Sequence, residues 1–158
     1  MFAVRHKHPY NYGVLALFTL GTSYSLGVVS LAYSPQAVFS ALALTASGFG
    51  VLTALAYALR DRDLSFFGMG LVAVGWVFLL ALLVLSFFPL GGTGSVLLGA
   101  TGASLFSAYV VFDVWLMLQP QRGLGLDEHM LAAMNVYLDL INLFMWLLQV
   151  IGGGSQNQ

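Results

Sequence analysis

Five long apolar runs, separated by short polar breaks, restrict what this chain can fold into. A helix that crosses a bilayer needs about 20 mostly apolar residues, because the hydrocarbon core is about 30 Å thick. Five stretches meet this condition: residues 12–33, 36–59, 64–88, 94–118 and 130–151. They are continuous and lack the alternating pattern of barrel strands. The sequence therefore predicts an all-α membrane protein, a polytopic bundle of five transmembrane helices that forms a single transmembrane domain over residues 1–158.

The few charges of the chain fit this class and predict its orientation. Only 7% of the residues are charged, against roughly 25% in soluble domains, and a net charge of −1 argues against a nucleic-acid partner. Cytosolic loops of membrane proteins collect Lys and Arg. With a cytosolic N-terminus, all five basic residues fall on the cytosolic side: Arg5, Lys7, Arg60, Arg62 and Arg122. We therefore expect an integral, multi-pass protein that has the lipid bilayer as its partner and a cytosolic N-terminus.

Two aspartates, Asp113 and Asp139, lie inside the last two apolar runs. An ionisable group at this depth costs at least about 2.5 kcal/mol on insertion scales, so it is a candidate for function. At about 1.5 Å per residue, Asp113 lies about 8 Å and Asp139 about 14 Å from the cytosolic ends of their helices. The two helices are consecutive and antiparallel, so the carboxyl groups can meet. Such a pair cannot easily ionise twice, which predicts a shared proton that acts as a pH-sensitive latch.

The final run carries further polar residues with helical spacing. Asn135, Asn142 and Gln149 recur with Asp139 and Trp146 on one stripe, and such a stripe faces protein or water rather than lipid. We interpret it as support for an ion pathway. Asp113, Asp139 and neighbouring Asn or backbone oxygens would offer Ca²⁺ a weak site, with Ca²⁺ as the permeant species. The chain has no Cys, so thiolate metal sites are excluded, and no resident cofactor is expected.

Other interpretations remain open. The aspartates could be protonated groups that join helices, in a non-conducting scaffold that binds membrane proteins or forms homo-oligomers through its many small residues. An intramembrane aspartyl protease is a more remote alternative. Its catalytic aspartates follow Tyr or Gly-x-Gly and precede a Pro-Ala-Leu motif, whereas here Asp113 follows Phe112, Asp139 follows Tyr137-Leu138, and no Pro-Ala-Leu is present. The sequence therefore favours a function without enzymatic activity.

Residues 135–144, Asn-Val-Tyr-Leu-Asp-Leu-Ile-Asn-Leu-Phe, resemble the final-helix signature of the Bax inhibitor-1/Lifeguard family. Phe112-Asp113 is similar to its aromatic-Asp-Thr element, although Val114 replaces the Thr, and residues 5–11 and 87–91 resemble further family segments. This resemblance implies the third to seventh helices of a seven-helix fold, without the first two. The chain would then be a fragment, a sequence with a mispredicted start, or a form completed by oligomerisation.

The same resemblance implies a function. Members are Ca²⁺ leak channels that support calcium homeostasis and, in eukaryotes, suppress cell death. They reside in endoplasmic reticulum or Golgi membranes, or in the plasma membrane of bacteria. Their aspartates at the positions of Asp113 and Asp139 form a pH-sensitive latch.

Overall fold

The computed structural model describes residues 10–88, 91–119 and 126–155, and these residues form helices and short connections without any strand. The helices are α1 (Tyr10–Ser30), α2 (Pro35–Ala58), α3 (Ser65–Leu85), α4 (Gly92–Met117) and α5 (Leu126–Ser155). Each corresponds to one predicted apolar run. The predicted all-α fold class is therefore confirmed.

Four helical segments are long and apolar enough to cross a membrane. They are α2, α3, α4 and the part of α5 from Leu131 to Gly153. In α1 the apolar stretch Leu15–Ser30 is shorter, so its crossing stays a prediction. This pattern is that of an integral, multi-pass membrane protein.

The helix ends differ from the apolar runs by a few residues. The helix α5 begins at Leu126 rather than at residue 130, and α3 ends at Leu85 rather than at residue 88. Hydropathy marks where a segment enters the hydrocarbon, whereas a helix ends where its backbone hydrogen bonds stop, and these two positions need not coincide.

Local hydrogen bonds support two of the helix starts. Ser34 precedes α2, and its hydroxyl accepts a hydrogen bond from the Ala37 amide (3.3 Å), while Pro35 occupies the first helical turn, where its missing N–H is not needed. Before α3, the Asp63 carboxylate accepts a hydrogen bond from the Ser65 amide (2.9 Å). The Ser65 side chain and amide together lower the pKa of Asp63 below its ordinary value.

The helices α4 and α5 form the core of the described bundle, because they pack against each other, α2 packs against both, and α3 packs against α4. Glycines allow α4 to approach α5 closely: a β-carbon on Gly99 would meet Val150, and one on Gly102 would meet the Trp146 ring. Many apolar side chains of α3 point outward, including Phe66 (82% exposed) and Trp76 (64% exposed). In a bilayer these outward faces contact lipid.

The loop between α2 and α3 is attached to the end of α4. The buried Trp115 indole donates a hydrogen bond to the Arg62 carbonyl (3.0 Å), and the Gln119 amide donates one to the Arg60 carbonyl (2.9 Å). These bonds place the basic loop beside the end of α4 that carries Asp113. The aspartate pair is therefore nearer to this side of the bundle than to the other.

Candidate functional site

Asp113 and Asp139 meet where α4 and α5 pack together. Asp113 lies about one turn before the end of α4, and Asp139 lies near the middle of α5. Their carboxyl groups are within hydrogen-bonding reach of each other. Asp113 is half-buried, whereas Asp139 is only 8% exposed. The structure thus brings the two predicted site residues together across one helix interface.

The contact leaves part of the Asp139 carboxyl group unsatisfied. Its Oδ2 atom is buried and has no hydrogen-bond partner among the described residues. A buried polar atom without a partner carries a desolvation penalty of about 1–3 kcal/mol, and more if it is charged. Such an atom in a native fold calls for a physical explanation, such as stored strain, a catalytic role, or an ordered water or ion at that position.

Tyr109 is the third polar side chain at this site. It lies four residues before Asp113, hence on the same face of α4, and its phenol is close enough to interact electrostatically with both carboxyl groups. Its hydroxyl donates a hydrogen bond to the Leu71 carbonyl of α3 (2.7 Å). Gly75 makes room for this ring, because a β-carbon there would collide with the Tyr109 hydroxyl. Tyr109 therefore connects the aspartate pair to α3.

A cavity of ≈ 430 Å³ lies between α3, α4 and α5 and borders on Asp139. Most of its walls are apolar, and Tyr109, Asp139 and Asn142 provide polar groups. Trp146 closes it from α5 and packs edge-on against Phe78 of α3, with ring centroids 5.3 Å apart. Asp113 is not among the residues that line it. The two carboxyl groups therefore have different surroundings.

The predicted polar stripe of α5 divides into three environments. Asn142 lines the cavity beside Asp139, although its amide nitrogen donates to the Leu138 carbonyl of its own helix (2.8 Å). Gln149 lies almost two turns beyond Asn142 and donates to the Ser95 carbonyl (3.1 Å) and hydroxyl (3.3 Å) at the start of α4. Asn135 is exposed. Only the middle of the stripe thus belongs to the aspartate site.

The described residues offer Ca²⁺ a small set of ligands. They contain no group of three or more His, Asp or Glu side chains that could hold a metal ion. Asp113 and Asp139 contribute two carboxylates, whereas a Ca²⁺ ion takes six to eight oxygen ligands. Two carboxylates fall short of such a ligand set, and the predicted weak Ca²⁺ site stays a prediction.

Several residues of the site were not expected from the sequence. Tyr109 could have been recognised, because a polar aromatic one turn from Asp113 shares its helix face. The cavity residues of α3, such as Trp76 and Phe78, give no such signal, because α3 is apolar on every side. A uniformly apolar helix does not indicate which face meets its neighbours.

Comparison with known proteins shows the family of this chain. The family model described as "Inhibitor of apoptosis-promoting Bax1" matches residues 1–157. The chain belongs to this Bax inhibitor family. The resemblance inferred from residues 135–144 is thereby confirmed.

Three named relatives are similar to this chain over most of its length. The chain is 38% identical over 148 residues to the Golgi anti-apoptotic protein of Vaccinia virus (strain Lister), with 93% of this chain and 60% of the relative covered. It is 35% identical to a BI1-like protein of Arabidopsis thaliana (94% and 58% covered) and 35% identical to protein lifeguard 4 of Mus musculus (93% and 60% covered). The chain thus spans about 60% of the length of these relatives. No solved structure matches it.

Proposed function

We propose that this Bax inhibitor family member is a pH-sensitive cation leak, with Ca²⁺ as the permeant ion and the pair Asp113–Asp139 as its latch. The observation that supports this proposal is the close approach of two carboxyl groups inside a helical bundle, where one oxygen of Asp139 has no partner within the part of the chain that the structure describes. Apart from these two, α2, α3, α4 and the apolar part of α5 contain no charged residue. The latch chemistry therefore depends on this pair.

Proton sharing provides the closed state. When one carboxyl group keeps its proton, it donates a hydrogen bond to the other, and α4 and α5 are held together. When both ionise, two negative charges face each other in a region of low dielectric, where their repulsion is only weakly screened. This repulsion favours separation of the helices and attracts a cation between them. A pair of carboxylates binds Ca²⁺ with few ligands, so the ion can leave as well as enter.

A purely structural role explains the pair less well. Hydrogen bonds between membrane helices contribute about 0.6 kcal/mol on average. Inserting each acid costs at least about 2.5 kcal/mol. A helix contact as extensive as that between α4 and α5, with Gly99 and Gly102 at its centre, does not need such a bond. The energetic balance favours a functional pair.

The test is Ca²⁺ flux through the purified chain in sealed liposomes, from about pH 6 to about pH 8. Asp139→Asn keeps the shape of the side chain but cannot ionise. We expect flux that rises with pH in the wild type and is low and independent of pH in Asp139→Asn. Asp63→Asn is the matched control, because Asp63 is an aspartate in the loop between α2 and α3 and lies outside the helices. Equal and pH-independent flux in the wild type and in Asp139→Asn would refute the proposal.

We further propose that the protein acts in an intracellular membrane and suppresses cell death. Support comes from the printed names of relatives, such as the Golgi anti-apoptotic protein of Vaccinia virus. The test is expression of a tagged chain in cultured cells, followed by imaging against organelle markers and survival after an apoptotic stimulus. We expect an endoplasmic reticulum or Golgi pattern and improved survival. An unchanged survival at matched expression would contradict the role.

A further inference from the structure

The cavity between α3, α4 and α5 is open towards the region that lipid occupies. Its lining includes side chains on the outer side of α3, namely Val72, Trp76 and Leu79, which are 56%, 64% and 57% exposed. The helix α3 packs mainly against α4, so the cavity fills the space between α3 and α5. A molecule dissolved in the bilayer can therefore enter it sideways.

One carboxyl group borders this apolar space. Asp139 is the only acidic residue that lines the cavity, it is 8% exposed, and its Oδ2 atom has no hydrogen-bond partner among the described residues. Five aromatic side chains surround the same space: Trp76, Phe78, Phe106, Tyr109 and Trp146. Aromatic faces attract cations, with Trp the most effective, particularly where water is excluded. A negative group among aromatic rings is complementary to an organic cation.

We propose that this cavity binds a membrane-soluble amphiphile with a protonated amine, whose ammonium group pairs with Asp139 and whose hydrocarbon chain contacts the apolar walls. The volume of ≈ 430 Å³ lies within the range of about 300–1,000 Å³ usual for small-molecule sites. It is too small for a further helix, which has a diameter of about 10–12 Å with its side chains. The negative charge of Asp139 and the volume of the cavity are thus both compatible with a small amphiphilic amine.

The titratable groups near Asp139 affect its ionisation and therefore the binding of an amine. From α4 these are the carboxyl group of Asp113 and the phenol of Tyr109. The helices α2 and α3 contain no Asp, Glu, Lys, Arg or His. An ammonium group requires Asp139 to be ionised, so a proton on Asp139 competes with the ligand. The negative charge of Asp113 opposes ionisation of Asp139, so Asp113→Asn favours the ionised Asp139 that an ammonium group requires. The change also leaves the cavity walls as they are, because Asp113 does not line the cavity.

The experiment measures binding and does not use ion flux, so it is independent of the leak proposed above. The full chain is placed in nanodiscs of zwitterionic phosphatidylcholine, which lack the surface charge that would attract amines on its own. The probes are ω-bromododecylamine and its neutral analogue ω-bromododecanol, because bromine quenches tryptophan fluorescence on contact. Trp76 and Trp146 line the cavity, whereas Trp115 is buried in another cluster.

We expect saturable quenching by the amine and only gradual, unsaturable quenching by the alcohol. In Asp139→Asn the affinity for the amine should fall by at least about tenfold, the equivalent of about 1.4 kcal/mol. In Asp113→Asn the affinity should be retained or increased. In the wild type the affinity should decrease as the pH is lowered, and this last measurement tests the proposal even if Asp139→Asn fails to fold.

Three results would overturn the inference. Equal saturable binding of amine and alcohol would show that apolar contact alone fills the cavity. Equal loss of binding in Asp113→Asn and Asp139→Asn would show that the ligand recognises the pair rather than the cavity. Absence of saturable quenching in the wild type would show that the cavity is covered by protein or lipid and does not admit the amine.

Discussion

Gly102 of α4 lies against the indole of Trp146 of α5, so closely that any β-carbon at position 102 would collide with the ring. The same indole packs edge-on against Phe78 of α3, at 65° between the ring planes. Trp146 of α5 therefore contacts both α3 and α4, and it forms a wall of the cavity beside Asp139. The absence of a side chain at Gly102 determines where this wall lies.

Gly102→Ala is expected to lower the free energy of unfolding and to displace Trp146. Overpacking of this kind destabilises by about 1–3 kcal/mol. The matched control is Gly50→Ala in α2, where no atom lies within 4 Å of the added β-carbon, and there the change should be neutral or stabilising by up to about 1 kcal/mol. Reversible unfolding in mixed micelles, followed by tryptophan emission, measures both. Equal stability of the two variants would contradict the close contact.

Gln149→Leu is expected to affect stability without affecting the latch. Gln149 joins the end of α5 to the start of α4 through Ser95, far along the helix from Asp139. Loss of these bonds should lower the free energy of unfolding by about 1 kcal/mol. Ser95→Ala removes only the hydroxyl acceptor and should have a smaller effect. Thermal unfolding and Ca²⁺ flux are measured in parallel, and a change in the pH dependence of flux would place Gln149 in the ion pathway instead.

The titration of Asp63 should depend on Ser65. The hydrogen bond from the Ser65 side chain is the larger cause of the lowered pKa of Asp63, and the bond from the Ser65 amide is the second. A lowered pKa means that these bonds stabilise the fold at neutral pH and are lost as the pH falls through that pKa. Ser65→Ala should raise the pKa part of the way to its ordinary value, and Ser65→Pro, which lacks both donors, should raise it further. NMR titration of the Asp63 carboxyl carbon measures this, and identical titrations in all three proteins would be inconsistent with the cap.

The fold was predictable because bilayer thickness fixes the length of an apolar run. The ends of the helices were less predictable, because a helix can continue beyond the hydrocarbon. The start of α5 at Leu126, ahead of the apolar run, is an example. The meeting of Asp113 and Asp139 follows from two consecutive antiparallel helices. The extent of the polar stripe does not: Gln149 and Asp139 share a face of α5, yet that face meets the start of α4 at one level and the cavity at another.

The cavity itself could not be read from the sequence. Its walls on α3 come from a helix that is apolar all around, so no periodicity marks the inner face. Contacts between α3 and α4 set the position of α3. Examples are the hydrogen bond from the Tyr109 hydroxyl to the Leu71 carbonyl and the packing of the Phe112 ring against Gly68. Each is a pairing between helices, and spacing along one helix carries no information about the partner on another.

Single-cysteine labelling can test the predicted orientation directly, because the chain contains no Cys. Asp61 precedes α3 and has an exposed side chain (87%), whereas Ser86 directly follows α3 and is also exposed. Since the helix between them is long enough to span the bilayer, the two positions should lie on opposite sides. With a cytosolic loop between α2 and α3, as its Arg residues indicate, a membrane-impermeant maleimide applied from the cytosolic side should label Asp61→Cys and not Ser86→Cys. Labelling of both from one side would contradict the crossing of α3, and the reverse pattern would contradict the predicted orientation.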